Sequence, residues 1–349
     1  MMQHQLIYTL SHFSSDVLTG DIWDTLNSIE SPELRQLVDG LRTTLFQSRA
    51  NSTVTKYLGA FQRWRKWIES HGVSCFPVSE AHFVLYLQHL GESSESKSAV
   101  EEAMNAVSWV QQLAGHQPVS AGSIARMTLA GLQRKLAKPK SRKEPITTEM
   151  LAKLVEDLGT APSLADIRLA ASSLLAFAAF LRYDDIARLR CCDVQFEDTS
   201  MTVRITSSKT DQYRQGDMVV IARTGTATCP VAMLERYMVA AGISPSSKLK
   251  LFRGIVNSTK NGERLRQSGS LSYTRMREIL LKKLDELGYD KSQFSLHSLR
   301  AGGATAAANA GVPDRLFKRH GRWKSELAKD GYIKDSPAAL LSVSESLNL

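Results

Sequence analysis

The sequence is poor in cysteine. Cys75, Cys191, Cys192 and Cys229 are its four, too few and too scattered for a disulfide framework. Cys191 and Cys192 are adjacent and cannot supply the spaced pairs of a zinc site, so the chain reads as a reduced, intracellular protein. No basic start followed by an apolar core opens the sequence, and no signal peptide is expected. A long hydrophobic run is also missing. The longest apolar stretch, Leu164 to Leu181, is interrupted by Asp166, Arg168 and two serines, which makes it a buried helix rather than a membrane span. There is no Gly-x-x-x-x-Gly-Lys loop for a nucleotide, no carboxylate cluster suited to magnesium and no internal repeat. The sequence thus offers no motif that calls for a metal or another cofactor.

What is present is a globular composition with a basic balance. At 349 residues and 43% hydrophobic, the chain can build two cores of ordinary size. Its net charge of +9 favours an acidic partner, nucleic acid first. Residues 1–144 carry 15 Lys and Arg against 13 Asp and Glu, and residues 145–349 carry 29 against 22, so the excess sits mainly in the second part.

Residues 1–30 show no firm pattern and read as an arm or a short helix. From Thr53, Val54, Tyr57, Leu58, Phe61, Trp64 and Ile68 recur at helical spacing on one face, with Lys56, Arg63 and Lys66 opposite. That basic side is either a solvated face or a surface for phosphates. Further helical segments at 80–91, 97–115 and 121–137 make the first half all-helical. Six of the ten residues Arg134–Lys143 are basic (Arg134, Lys135, Lys138, Lys140, Arg142, Lys143), and Pro139 and Pro145 break any helix there. This is an exposed linker that could follow a phosphate backbone, act as a nuclear localisation signal or merely stay solvated. Thr147 or Thr148 then caps a new helix. The second half is mixed: helices at 148–158 and 164–182, strands at 200–206 and 217–222 around a polar turn holding Lys209, a helix opening at Cys229-Pro230, and helices at 270–288, 297–311, 313–320 and 325–333.

Several polar residues stand out, each with an ordinary explanation when taken alone. Arg182 closes the apolar helix with Asp185 one turn later, a spacing that also suits a helix-end ion pair. Lys209 in a turn is by itself a solvated lysine. His297 and Arg300 share a face at a helix start, where free backbone N–H groups also favour an anion. Because arginine cannot ligate a metal, that pair suits a phosphate. The glycines and alanines after them point to close packing. Trp323 lies nine residues before Tyr332, near the end of the sequence.

Taken in order, Arg182 with Asp185, Lys209, His297-x-x-Arg300, Trp323 and Tyr332 resemble the tyrosine recombinases, or phage-integrase family, over residues 45–335. The phrases "SSKTDQYRQG", "CPV" and "GRWKS" look most like recombinases of eukaryotic mobile elements of the DIRS and Crypton types. His320, twelve residues before Tyr332, does not fit the last histidine position, and Trp323 takes that place. The resemblance implies a mainly α fold with a small antiparallel β-hairpin (α+β), arranged as a two-domain C-shaped clamp. Its parts would be an arm (1–30), a helical core-binding domain (31–137), a basic linker (138–147), a catalytic domain (148–335) and a tail (336–349).

The implied chemistry follows from the need to break a DNA strand without hydrolysis. Tyr332 would attack and hold the 3′ phosphate as a phosphodiester while the 5′ hydroxyl leaves. Arg182 and Arg300 would grip the non-bridging oxygens, each such donor contributing about 3–4 kcal/mol. Lys209 would protonate the leaving oxygen, His297 would donate to phosphate or help deprotonate Tyr332, and Trp323 would offer its indole N–H. Asp185 would orient a histidine or arginine. The implied partners are double-stranded DNA and further copies of the chain: a monomer in free solution, a tetramer on two DNA sites, with no membrane. Leu340, Leu341, Val343 and Leu347 in the tail, at helical spacing, would dock on a neighbouring subunit or on their own domain. A nuclear location would follow in a eukaryote. Two other readings keep the same residues: a DNA-binding protein that no longer cuts, and a type IB topoisomerase.

Overall fold

The computed structural model describes residue 18 and residues 20–139, 142–206, 217–258 and 262–347. They fall into two compact units, Met1–Lys140 and Ser141–Leu349, each with its own hydrophobic core.

The first unit is helical: α1 (Asp21–Asn27), α2 (Pro32–Phe46), α3 (Asn51–Glu69), α4 (Glu80–Ser93), α5 (Lys97–Leu113) and α6 (Ser123–Lys135). The apolar stripe of α3 does what its spacing predicts. Val54, Leu58, Phe61, Trp64 and Ile68 are buried, and Tyr57 packs half-buried beside them. Trp64 meets Phe83 and Tyr86 of α4 edge-on at 5.5 and 5.3 Å. The two deepest indoles have partners for their N–H groups: Trp23 donates to the Leu113 carbonyl at 2.7 Å and Trp64 to that of Cys75 at 3.3 Å.

The second unit opens with α7 (Thr148–Glu156), capped by Thr147, whose hydroxyl accepts the Met150 N–H at 3.3 Å. Next comes α8 (Leu164–Ala178), apolar on almost every side and buried along its length. Then follow α9 (Tyr183–Arg188), β1 (Val194–Phe196), β2 (Ser200–Ile205), β3 (Asp217–Ala222), α10 (Pro230–Ala240), β4 (Ile255–Ser258) and β5 (Gly262–Leu265). The remaining helices are α11 (Tyr273–Glu286), α12 (His297–Asn309), α13 (Asp314–Gly321), α14 (Glu326–Asp330) and α15 (Pro337–Glu345). The sheet β1-β2-β3 is antiparallel, with Thr202 opposite both Gln195 and Val220, and β2 turns Met201, Val203 and Ile205 into the core. Strand β1 and the hairpin β4–β5 are elements that the sequence pattern does not predict. The expected turn between β2 and β3, with Lys209, lies outside the described residues, as does Lys140.

Helix α12 can approach α8 because it lacks side chains where they meet. A Cβ on Gly302 would stand 1.9 Å from the Ile146 carbonyl oxygen, and one on Gly303 2.0 Å from that of Phe177. The packing role read from the small residues after Arg300 is thus borne out.

The apolar helix differs from expectation at its end. Its pattern predicts a helix through residue 182, yet α8 stops at Ala178. Phe180 adopts a left-handed backbone, φ +47°, and the Leu181 N–H turns back to the Ala176 carbonyl at 2.9 Å. That is the helix-ending motif usually built on glycine. Arg182 consequently caps the start of α9 instead of closing α8.

Candidate active site

Of the polar residues singled out by order along the chain, Arg182, Asp185, Arg300, Trp323 and Tyr332 come together where the ends of α8 and α13 meet the start of α12. Arg300 has no exposed surface and forms the centre. It donates through Nη1 to the Phe180 carbonyl and through Nη2 to that of Gly321 at 2.8 Å. Its guanidinium carbon lies 4.8 Å from the Trp323 ring and 4.8 Å from the Tyr332 ring. The two rings are 5.7 Å apart at 45°. Burial, with the charges of Arg182 and Arg322 added, lowers the Arg300 pKa to about 9, which still leaves it protonated at neutral pH.

Tyr332 follows α14 and is half-buried. Thr305 of α12 holds the chain on either side of it: its hydroxyl donates to the Tyr332 carbonyl at 3.3 Å and accepts the Lys334 N–H at 3.1 Å. Helix α14 is anchored by Lys329, which bridges Asp314 of α13 and Glu326. Close packing sets the tryptophan too, since a Cβ on Gly321 would sit 1.8 Å from the Trp323 ring.

Asp185 holds an arginine, one of the two partner types expected for it. Its Oδ2 accepts the backbone N–H of Arg182 at 3.0 Å and pairs with Arg322 Nη2 at 3.4 Å. The partner is therefore an arginine that the motif order does not include. The only sequence signal for Arg322 is its place between Gly321 and Trp323 in "GRWKS". His320 is packed edge-on against Phe180, with Nε2 2.7 Å from the Ala178 carbonyl, and burial lowers its pKa. Its ring is thus engaged by the end of α8 and by Phe180.

His297 begins α12, but it is exposed whereas Arg300 is wholly buried, so the two do not share one environment. Among the described residues, Arg182 Nη1, Arg300 Nε and Trp323 Nε1 are buried donors with no hydrogen-bond partner. Three N–H groups without acceptors beside a tyrosine suit a ligand carrying several anionic oxygens. No group of three or more His, Cys, Asp or Glu that could hold a metal occurs among the described residues.

The basic residues assigned to DNA contact are distributed unevenly. Lys56 and Arg63 both turn to Glu102 of α5, at 2.9 and 2.8 Å. Lys138 pairs with Glu95 at 2.6 Å, and Lys143 donates to the Ser292 carbonyl. Lys66, Arg134, Lys135 and Arg142 are exposed.

Comparison with known proteins finds similarity in sequence and in fold. No protein-family model matches the chain. It is 28% identical over 297 residues to the integrase/recombinase XerD homologue of Selenomonas ruminantium, covering 83% of each chain. In fold it is similar to the XerH site-specific recombinase bound to palindromic difH substrate, with a TM-score of 0.58 at 14% identity, over 85% of this chain and 78% of that one. In sequence and in fold the chain is similar to tyrosine recombinases. Two further folds of this family are similar to it. The Tn1549 transposon integrase in complex with circular intermediate DNA gives a TM-score of 0.55 at 12% identity, covering 86% and 98% of the two chains. The lambda integrase dimer bound to a COC′ core site gives 0.51 at 14% identity, covering 88% and 82%. The mainly α fold with small antiparallel sheets is that of this family. No helix among the described residues is long and apolar enough to cross a membrane.

Proposed function

We propose that this chain is a site-specific DNA recombinase that cuts and rejoins DNA through a 3′-phosphotyrosyl intermediate on Tyr332. The observation that carries the reading is the set of unpartnered buried donors on Arg182, Arg300 and Trp323 beside the Tyr332 ring. The Tyr332 oxygen attacks phosphorus, the 5′ oxygen departs with a proton from Lys209, and the strand's energy is kept in the new phosphodiester. Arg300 has five N–H groups. Two are held by carbonyls and fix its plane, which leaves Nε–H and others for the non-bridging oxygens. Exposed His297 donates to the phosphate from the solvent side. Religation reverses these steps with a different 5′ hydroxyl, and two rounds pass through a Holliday junction.

The reading extends to assembly. The helical unit and the catalytic unit both contact duplex DNA, with Lys66, Arg134, Lys135 and Arg142 facing phosphates. Monomers in free solution assemble as tetramers on two sites. The tail helix α15 buries no residue, and its Leu340, Leu341 and Val343, with Leu347 just after it, are exposed, which suits docking on a neighbouring subunit. The protein acts on DNA inside the cell, in the nucleus if the host is a eukaryote.

A nicked suicide duplex carrying candidate sites tests the reading. The unsubstituted chain should leave a covalent protein–DNA adduct, and Tyr332→Phe should leave none. Binding to every candidate site without an adduct would overturn it in favour of a protein that no longer cuts. Relaxation of arbitrary supercoiled plasmid without recombinants would overturn it in favour of a topoisomerase.

A further inference from the structure

Arg322 lies outside the order of residues that defines the site, yet it is buried, more enclosed than Arg182, His297 or Tyr332. Its backbone is left-handed, φ +56°, and Phe180 is the other non-glycine residue with positive φ among those described. The two form matching helix ends. As the Leu181 N–H returns to Ala176 in α8, the Trp323 N–H returns to the Lys318 carbonyl at 3.2 Å at the end of α13. Glycine adopts this backbone most readily, so an arginine here is retained against conformational preference. Its side chain accounts for that. The guanidinium donates to the carbonyls of Ala179 at 3.2 Å, His320 at 3.1 Å and Phe180 at 3.2 Å, and to Asp185 Oδ2 at 3.4 Å.

The Phe180 carbonyl thus accepts from both Arg300 and Arg322, which joins the two helix ends to the centre of the site. Asp185 is the second shared group. Its Oδ2 is held by Arg322 and the Arg182 N–H, while its Oδ1 is buried without a partner, as is Arg182 Nη1. The side chains of Arg322 and Asp185 are 2% and 1% exposed, so water cannot screen the carboxylate. Freed from Arg322, that carboxylate would be a buried anion beside Arg182 and Arg300, a competitor for the donors a phosphate needs.

We propose that Arg322 is a positioning residue of the recombinase site. By neutralising Asp185 and holding the Phe180 carbonyl, it keeps Arg182 and Arg300 available to the scissile phosphate. The inference rests on the recombinase reading and adds to it a residue that acts through its neighbours.

The test uses the full chain with Arg322→Met, Arg322→Gly, and each combined with Asp185→Asn. Cleavage is read as a single-turnover rate at saturating suicide duplex, well below each variant's melting temperature. A merely structural role would move the melting temperature and leave this rate unchanged. Both single variants should slow by about 10²-fold, and adding Asp185→Asn should recover about tenfold or more despite the extra substitution. Arg322→Gly is the control for folding, because glycine accepts the left-handed backbone. Unsubstituted rates in Arg322→Gly, or double variants no faster than the singles, would overturn the inference. A second readout needs no cleavage: the rise in melting temperature caused by inorganic phosphate. Arg322→Met should lose that rise and the double variant regain it, whereas a rise kept in Arg322→Met would overturn the inference. Failure of the unsubstituted chain to form any adduct would instead count against the recombinase reading, and the phosphate readout would still decide the part played by Arg322.

Discussion

The two interiors of this chain treat their buried indoles differently. In the first unit the indoles of Trp23 and Trp64 are buried and each donates to a carbonyl. In the second, the Trp323 indole is equally buried, 5% exposed, and its N–H has no partner. Arg182, Arg300, Arg322 and Asp185 around it also keep buried polar atoms without partners. A buried donor without an acceptor costs about 1–3 kcal/mol, so several in one place are a standing expense of the second unit. The first unit spends both indole donors on its fold, whereas the second leaves a cluster of donors for the phosphate that the proposed function brings.

The sharpest way to break this comparison is to exchange tryptophan for phenylalanine in both places. Trp323→Phe should slow cleavage by about 10²-fold while leaving the melting temperature unchanged or higher, because the donor it removes satisfies nothing in the free protein. Trp64→Phe should do the reverse, lowering stability by about 1 kcal/mol or more for its lost hydrogen bond and leaving the DNA-saturated rate intact. Paired cleavage assays and thermal melts check both. Equal losses of stability would erase the distinction.

Glycines give a second contrast, one of packing. Gly302→Val should destabilise the catalytic unit by about 3 kcal/mol or more, because the Ile146 carbonyl occupies the space a side chain needs. Gly40, inside α2 with nothing within 4 Å of a would-be Cβ, should tolerate alanine and gain up to about 1 kcal/mol. Denaturant unfolding of the two variants measures the difference.

The smallest effect concerns DNA affinity. Glu102 holds both Lys56 and Arg63, so Glu102→Gln should release two cations on α3. DNA binding should tighten, and the slope of affinity against salt should steepen by about one to two phosphate contacts. An unchanged slope would place that face of α3 away from DNA.

How much of this was legible in the sequence depends on whether a residue type announces its backbone. The stripe of α3, the strands β2 and β3, and the start of α10 at Cys229-Pro230 all carry ordinary periodic or capping signals. The ends of α8 and α13 do not. Both turn through left-handed residues where glycine is the usual signal, and here those residues are Phe180 and Arg322. Leu164–Leu181 therefore looks like one helix, and Arg322 looks like a surface arginine. Strand β1 is three residues long, too short for alternation to register. In the site, the order along the chain includes Arg182, Arg300, Trp323 and Tyr332, which the fold brings together. It is silent on burial, which separates His297 from Arg300, and on Asp185 choosing Arg322 across the fold.

The most direct test of the account is the chemical linkage itself. A trapped suicide-duplex adduct, digested with protease and nuclease and sequenced by mass spectrometry, should carry its nucleotide on Tyr332, joined through the DNA 3′ phosphate. A nucleotide on any other residue, or a linkage through a 5′ phosphate, would contradict it.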